Sequence, residues 1–330
     1  MKLILHIGMG KTGSSAIQKA LAENTQRLTD GNAHYLGMWL TPYEGPGRRP
    51  GHKEFFDQPK SIWRDRALDL SKLANQIVGN GGPNTFISSN ESFFHYGHKF
   101  ESFVDTARDH FDVKILAYVR RPMEWLPSAY AQWGIRHKTV QGPIPSYGAL
   151  ARSLVHQYED VMFWQKQMGD MLTIRSYDLA NDIVRDFFSF VGVPFGEYGA
   201  KFYKRVEDAE SILRLVFNNR YDEQVEPDRF NGTFGRAFRR GVANLDELVD
   251  RHMDYDETRR IINENIQIFE CLEEKTGIDL LESKNELPKK PTAEDLRARL
   301  LEYLIESCID QSLRIRALEK KLDELDLGGF

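Results

Sequence analysis

Residues 3–15 read LILHIGMGKTGSS, an apolar run that ends at closely spaced glycines and passes into hydroxyl residues. The run at 3–7 is typical of a strand that is buried on both faces of a parallel sheet. From Ser15 onward, the apolar residues fall on one face of a helix. These residues are Ile17, Ala20, Leu21 and Leu28. The chain therefore opens with a strand, a glycine loop and a helix.

Strands and helices continue to alternate up to about residue 180. Short apolar runs predict further strands at 34–37, 85–88, 113–119 and 171–174. Helices are predicted at 61–78, at 100–111 and from Pro122 onward, and a long loop is predicted at 41–60. Alternation of this kind builds a parallel sheet with helices on both faces. We predict an α/β fold with three layers around a central parallel sheet of about five strands.

The C-terminal third has a different pattern. Residues 201–290 look mostly helical, and residues 294–327 carry apolar side chains at alternating spacings of three and four, which is a heptad seam. The seam consists of Leu301, Leu304, Cys308, Gln311, Ile315, Leu318, Leu322 and Leu325. We predict one domain over 1–290, with its α/β core at 1–200, followed by a coiled-coil helix at 291–330. The seam is expected to pack either against the same helix of a second chain, in a homodimer, or against its own domain.

Composition excludes several classes of protein. The net charge of −5 argues against a general nucleic-acid binder, which would be basic. Two cysteines, Cys271 and Cys308, are too few for a disulfide framework or a cysteine-based metal site, and they fit a cytoplasmic setting. The apolar N-terminal run is too short for a signal peptide, and no apolar run is long enough to span a membrane.

The glycine loop predicts an anion site. A loop between a strand and a helix presents backbone N–H groups at the positive end of the helix dipole. Lys11 adds a positive charge and the hydroxyl residues add donors. The candidate binding residues are Gly10, Lys11, Thr12, Gly13, Ser14 and Ser15. The alternative is an ordinary tight turn with an N-capping serine. The loop departs from a Walker A motif, which would require glycine in place of Leu5.

A second candidate for anion binding follows the strand at 113–119. Residues 118–130 read YVRRPMEWLPSAY, so the strand delivers Arg120 to the sheet edge and Ser128 lies two turns into the next helix. An arginine guanidinium and a serine hydroxyl can both donate hydrogen bonds to a phosphate. Each residue alone is also common in such a position.

The loop and this second motif together resemble the PAPS-dependent sulfotransferase family. The likeness is strongest to bacterial sulfotransferases that begin His-Ile-Gly-x-x-Lys-Thr-Gly, as residues 6–13 do here. It extends more weakly over residues 1–220, through 176–179, 184–193 and 204–206. The resemblance implies a P-loop-like nucleotide-binding core and PAPS (3′-phosphoadenosine 5′-phosphosulfate) as donor, with adenosine 3′,5′-bisphosphate as product and no metal.

The same resemblance implies roles for particular residues. Lys11 and its loop would hold the 5′-phosphosulfate, while Arg120 and Ser128 would hold the 3′-phosphate. The chain departs from the family's cytosolic branch at Ala16, where that branch often has a tryptophan that stacks on adenine. A basic stretch from Asn231 to Arg236, with Arg239 and Arg240 beyond it, is a candidate substitute for that branch's late Arg-Lys-Gly segment.

Sulfuryl transfer needs a base for the acceptor hydroxyl and a cation at the leaving phosphate. Lys11 is the candidate cation. Glu91, in the stretch SSNESFF at 88–94, is the candidate base, since the glycan-sulfating branch of the family resembles it in placing a glutamate after the corresponding strand. His95 and His98 are rival bases.

The acceptor is expected to be a hydroxyl, in a carbohydrate or glycoconjugate. The basic stretches at 48–53 and 136–138 are candidates for closing over an anionic glycan. Two other readings compete with the sulfotransferase: a P-loop kinase that uses ATP, and a non-catalytic scaffold built on the coiled coil.

Overall fold

A computed structural model describes residues 1–40, 52–194, 208–233, 245–281 and 286–326 of the chain. The chain divides into two compact units. The first unit comprises Met1–Trp125, Val155–Tyr203 and Ile262–Asn285. The second unit comprises Leu126–Leu154, Lys204–Ile261 and Glu286–Phe330. The domain boundary predicted at residue 290 stays a prediction. The C-terminal helix packs on other helices of the second unit.

The first unit is built on the predicted parallel sheet. Its strands pair in the order β2-β3-β1-β4-β5, and every pair is parallel. The strands are β1 Lys2–Gly8, β2 Ala33–Tyr35, β3 Thr85–Ser89, β4 Asp112–Val119 and β5 Leu172–Ser176. The α/β prediction with about five strands is therefore confirmed, and each strand lies within two residues of its predicted position.

Helices cover both faces of this sheet, because consecutive residues of β1 and β4 are buried on either side. The helices assigned wholly to the first unit are α1 Ser14–Glu23, α2 Thr25–Asp30, α3 His52–Phe56, α4 Lys60–Gly79, α5 Gly97–Ala107, α8 Glu159–Met168, α9 Ile183–Val191 and α14 Ile266–Thr276. The long loop predicted at 41–60 contains α3, and its residues 41–51 lie outside the described part.

One core packs α1 and α9 against one face of the sheet. Its strand residues include Ile4, Ile87 and Leu116, and its helix residues include Ile17 and Phe187. A second cluster of aromatic rings packs within α3, α4, α5 and the 3₁₀ turn Glu91–Tyr96. Its members are Phe55, Phe56, Trp63, Phe93, Phe100 and Phe103.

The second unit is helical. Its helices are α7 Tyr147–Leu154, α10 Asp208–Asn218, α11 Pro227–Thr233, α12 Leu245–His252 and α15 Ala293–Asp326, together with the π-helical turn Tyr130–Arg136. The helices α6 Pro122–Ala129 and α13 Thr258–Glu264 each pass from one unit into the other. Buried polar pairs join its elements: Tyr130 with His252, and Tyr147 with Thr258.

The predicted C-terminal helix forms as one continuous element of 34 residues. Its seam side chains at 301–318 are exposed, except for the half-buried Gln311, so the described residues of its own domain do not cover the seam. Pairing between chains stays a prediction. None of the described helices combines the length and the apolar character that a bilayer crossing requires.

The strand order determines where a ligand can bind. The connection after β1 leads toward the β2 edge of the sheet, and the connection after β4 leads toward the β5 edge. Ligands of open parallel sheets bind where two neighbouring strands send their connections in opposite directions. The carboxyl ends of β1 and β4, which carry the glycine loop and Arg120, form this point here.

Candidate functional site

The glycine loop runs from the end of β1 to the start of α1, and hydrogen bonds fasten it to the neighbouring elements. The N–H of Met9 donates to the carbonyl of Tyr118 at 2.9 Å, and Trp125 Nε1 donates to the carbonyl of Gly10 at 2.8 Å. The Thr12 hydroxyl donates to the carbonyl of Met9 at 2.5 Å. The Thr12 hydroxyl hydrogen is therefore used within the loop, and Thr12 can offer a ligand only its backbone N–H as a donor.

The backbone of the loop bends through left-handed conformations. Lys11 has φ 67° and Gly13 has φ 85°. A Cβ on Gly13 would lie 3.0 Å from Ile183 Cγ2 and 3.3 Å from Tyr177 Cε2, so the glycine also allows close packing. These two bends turn the chain sharply from β1 into the first turn of α1.

The N-terminus of α1 has no side-chain cap within the described part of the chain. Gly13 is the N-cap, so the alternative of an N-capping serine is wrong. The first turn also lacks an acidic residue. The first N–H groups of a helix have no partner within the helix, and they bind anions when nothing else satisfies them.

Ser14 adds a side-chain donor at this helix end. It is 4% exposed, and its Oγ has no hydrogen-bond partner among the described residues. A buried hydroxyl without a partner costs about 1–3 kcal/mol, which a bound oxyanion would recover. Ser15 is exposed and Lys11 is half-buried. The loop thus presents a charge, a hydroxyl and helix N–H groups together.

Arg120 lies beside the loop. Its Nη1 donates to the carbonyl of Lys11 at 3.4 Å, and its Cζ lies 5.2 Å from the centre of the Tyr177 ring. Its Nε is 3.7 Å from Asp178 Oδ1, too far for a hydrogen bond, and is a buried atom without a hydrogen-bond partner in the described residues. The guanidinium is thus held beside the loop, the Tyr177 ring and the Asp178 carboxylate.

Asp178 orients this arginine. Its Oδ2 accepts a hydrogen bond from the backbone N–H of Arg121 at 2.7 Å, and its Oδ1 forms the ion pair with Arg120. Burial is the largest influence on this carboxyl, and it raises the pKa of Asp178 above its usual value despite the nearby arginines. The hydroxyl of Tyr158 donates to the carbonyl of Arg120 from α8's N-terminal side.

Glu91 begins the 3₁₀ turn after β3 and reaches the other side of the loop. A Cβ on Gly8 would lie 2.8 Å from the Cα and the Cβ of Glu91, so the two backbones touch. Glu91 Oε2 accepts a hydrogen bond from Gln18 Nε2 at 2.7 Å, and the same amide lies 3.3 Å from the carbonyl of Ser89. Burial, with a smaller contribution from the charge of Glu91, raises the pKa of Tyr35 above its usual value.

The rival bases have different surroundings. His95 Nδ1 lies 2.9 Å from Asp160 Oδ2 on α8, so the ring of His95 is already hydrogen-bonded to a carboxylate. His98 is exposed in the first turn of α5. Glu91 is the member of the three whose backbone contacts the loop.

The remaining predicted residues have mixed outcomes. Ser128 is half-buried in the part of α6 that belongs to the second unit, and its pairing with Arg120 stays a prediction. Lys138 was expected in an exposed basic loop, but it is buried and donates to the carbonyls of Asn218 and Tyr221 at the end of α10. Residues 48–51 and 234–240 lie outside the described residues.

Several residues of the site were not predicted from the sequence. Gln18 and Trp125 contact the site through hydrogen bonds that span many positions of the chain. Asp178 could have been found from the sequence, since it lies two residues beyond the end of β5, at the ligand-binding edge. Within the described ranges, no cluster of three or more histidine, cysteine or acidic side chains could hold a metal ion.

Comparison with solved structures adds a similarity in fold. Among solved structures, the chain is similar to the sulfotransferase domain from the curacin biosynthetic pathway, at 10% sequence identity and a TM-score of 0.39. The similarity covers 80% of this chain and 97% of that chain. No protein-family profile and no curated protein matches the chain. The roles of the loop and of Glu91 are therefore argued from their own geometry.

Proposed function

We propose that this chain is a sulfotransferase that moves a sulfuryl group from PAPS to an acceptor hydroxyl. One observation carries the proposal: the N-terminus of α1 is uncapped and holds the buried, unpartnered hydroxyl of Ser14, with Arg120 bonded to the same loop. Such a group of donors suits the oxygens of a phosphosulfate.

The residues present fit this donor. The loop N–H groups, Ser14 and Lys11 would hold the 5′-phosphosulfate, and Gly10, Gly13 and Ser15 complete the turn around it. Arg120 and Ser128 would hold the 3′-phosphate. When bound, PAPS supplies an activated sulfuryl group whose leaving group is adenosine 3′,5′-bisphosphate.

Glu91 is the proposed general base. As the acceptor oxygen bonds to sulfur, Glu91 takes the proton of that hydroxyl, and the bond between sulfur and the bridging phosphate oxygen breaks. Gln18 holds one carboxylate oxygen, which orients the other for this step. Support comes from the contact of Glu91 with Gly8, which fixes the backbone of Glu91 beside the loop.

Lys11 is the proposed electrostatic catalyst. The phosphate that leaves the sulfur gains negative charge, and the ammonium group of Lys11 stabilises it. Because the backbone of Lys11 is bonded to Arg120, the loop conformation and the arginine position depend on each other. Positioning and charge stabilisation supply most of the rate enhancement in transfers of this kind.

We expect the acceptor to be a carbohydrate or glycoconjugate hydroxyl. A carboxylate base suits an alcohol whose proton must be removed during the reaction, and the likeness to the glycan-sulfating branch rests on the position of Glu91 directly after β3.

Titration calorimetry with adenosine 3′,5′-bisphosphate in the presence of EDTA tests the proposal. We expect binding that is saturable and independent of magnesium. Binding of ATP that requires magnesium, together with no binding of the bisphosphate, would favour the P-loop kinase and overturn the sulfotransferase. Binding of neither nucleotide would favour the non-catalytic scaffold.

A further inference from the structure

Helix α15 carries an apolar seam that the described residues of its own chain leave uncovered. Its N-terminal part packs on α10 and α12, and Leu296 is buried there. Beyond residue 300 the seam is open: the exposed fractions of Leu301, Leu304, Ile315 and Leu318 lie between 41% and 61%. The heptad stretch 301–325 has a length of about 36 Å, at about 1.5 Å per residue.

We propose that a second copy of this chain covers the seam, as a parallel and in-register coiled coil. A strict seven-residue repeat of apolar side chains is the pattern by which two helices pack knobs into holes along their length. Leu301, Cys308 and Ile315 occupy position a of the repeat, and Leu304, Gln311 and Leu318 occupy position d.

The charges beside the seam select the parallel orientation. Arg314 occupies position g and Glu319 occupies the following position e, and both are exposed. A parallel pair places g of one helix opposite the next e of its partner, so Arg314 meets Glu319 on both sides of the dimer. In the sequence, Lys321 and Asp326 repeat this arrangement one heptad later.

An antiparallel pair would bring like charges together. It places g opposite g, where Arg314 and Lys321 are both basic, and e opposite e, where Glu319 is acidic. In the single chain Arg314 forms an ion pair with Asp310 within the helix, at 3.3 Å. That exposed pair is weak and leaves the arginine able to reach a partner helix.

The polar members of the seam set the register. In the parallel arrangement each Gln311 faces its own copy, so the two amides can hydrogen-bond to each other in one layer. A polar side chain at such a layer disfavours every register that opposes it to leucine. Cys308 likewise faces its copy, within the separation that a disulfide requires.

Oxidative cross-linking of the full chain tests the orientation. The protein has two cysteines, so the Cys271→Ser variant leaves Cys308 alone and the Cys308→Ser variant is its matched control. With copper phenanthroline as oxidant, we expect Cys271→Ser to form a covalent dimer that thiol reductant reverses, and Cys308→Ser to form none. A dimer in sedimentation that yields no cross-link through Cys308 overturns the parallel register.

A pair of leucine substitutions tests the seam itself. Leu318 lies at position d and Leu313 lies at position f, and the two side chains are 61% and 60% exposed. Since both are on the surface, replacement by aspartate leaves folding of the chain intact. In sedimentation equilibrium we expect Leu318→Asp to weaken dimerisation at least tenfold and Leu313→Asp to leave it unchanged. A monomeric wild-type chain, or equal effects of the two variants, overturns the proposal.

Discussion

The backbone of Glu91 lies so close to Gly8 that a Cβ on Gly8 would come within 2.8 Å of both the Cα and the Cβ of Glu91. This contact joins the end of β1 to the turn after β3, two neighbouring strands of the sheet. It fixes the backbone of Glu91 beside the glycine loop, and Gln18 holds one oxygen of the carboxylate.

The Gly8→Ala variant should therefore lose both stability and transfer. Gly8 has φ 99°, so alanine meets backbone strain and also displaces Glu91. We expect a loss of about 3 kcal/mol or more in unfolding free energy, the sum of strain and overpacking. The matched control is Gly81→Ala, where φ is 78° and nothing lies within 4 Å of the added carbon. That variant should lose about 1–2 kcal/mol in urea unfolding; equal losses would contradict the contact.

The Lys11→Ala variant should retain the fold and lose transfer. We expect the rate of sulfuryl transfer to fall about 10²-fold or more, because one charged donor at the leaving phosphate is gone. Lys19→Ala removes an exposed lysine of α1 that pairs with Glu23 and serves as control. Transfer from PAPS, followed by release of the bisphosphate, measures both. A Lys11→Ala variant with the wild-type rate would remove Lys11 from the mechanism.

The Glu91→Gln variant separates catalysis from binding. Glutamine keeps the shape of the side chain but accepts no proton, so we expect transfer to fall by about 10²–10⁴-fold while bisphosphate affinity stays within about threefold. His95→Asn and His98→Asn should keep most of the wild-type rate. If either histidine variant falls as far as Glu91→Gln is expected to fall, and Glu91→Gln turns over normally, the base is that histidine.

The Asp178→Asn variant tests how Arg120 is held. Burial raises the pKa of Asp178, so the folded protein binds its proton more tightly than the unfolded chain does. Stability of the wild type relative to Asp178→Asn should therefore fall as the pH rises above the usual aspartate value of 3.8. Urea unfolding of both proteins between pH 4 and about pH 7 measures the difference. A difference that grows in favour of the wild type as the pH rises would contradict this sign.

Arg120→Ala gives the companion result on binding. Loss of this guanidinium should weaken bisphosphate affinity about tenfold or more, since hydrogen bonds to charged groups contribute about 1.5–3 kcal/mol. The exposed Arg108, at the end of α5, provides the matched arginine-to-alanine control. Calorimetric affinities that are equal in the two variants would exclude Arg120 from the donor site.

His6 should make the protein sensitive to acid. It is fully buried on β1, its Nδ1 lies 2.8 Å from Ser89 Oγ, and burial lowers its pKa from 6.5 to about 3. Below pH 6.5 the unfolded chain binds a proton on His6 that the folded protein does not bind. The contribution of neutral His6 to the unfolding free energy is therefore complete above pH 6.5 and is lost as the pH falls toward 3.

The expected slope for this one group is at most about 1.4 kcal/mol per pH unit. In His6→Asn, urea unfolding free energies should depend less on pH over this window, although the variant is less stable near neutrality. Burial lowers the pKa of His252 to about 4, so this residue contributes part of the pH dependence of stability in both proteins. Parallel slopes in the two proteins would show that His6 does not titrate in this way.

Local patterns accounted for most of the first unit. The predicted strands all formed, and the seam helix formed as one element. These features depend on neighbouring residues, because strand and helix periodicities are written into positions two to four apart. One expectation that failed concerned Lys138. In the sequence Lys138 looks like any residue of a basic loop, but in the structure it is buried and donates to the carbonyls of Asn218 and Tyr221.

The sequence by itself determined the glycine loop after β1, since glycine at position 13 adopts φ 85° without strain and has no side chain to cap α1. It also determined the heptad seam. Only the tertiary structure decided which polar groups meet at the loop. Gln18 and Glu91 are 73 positions apart, and Arg120 is 109 positions from Lys11. Their contacts depend on the order of the strands, which brings β3, β1 and β4 side by side and which no local pattern encodes.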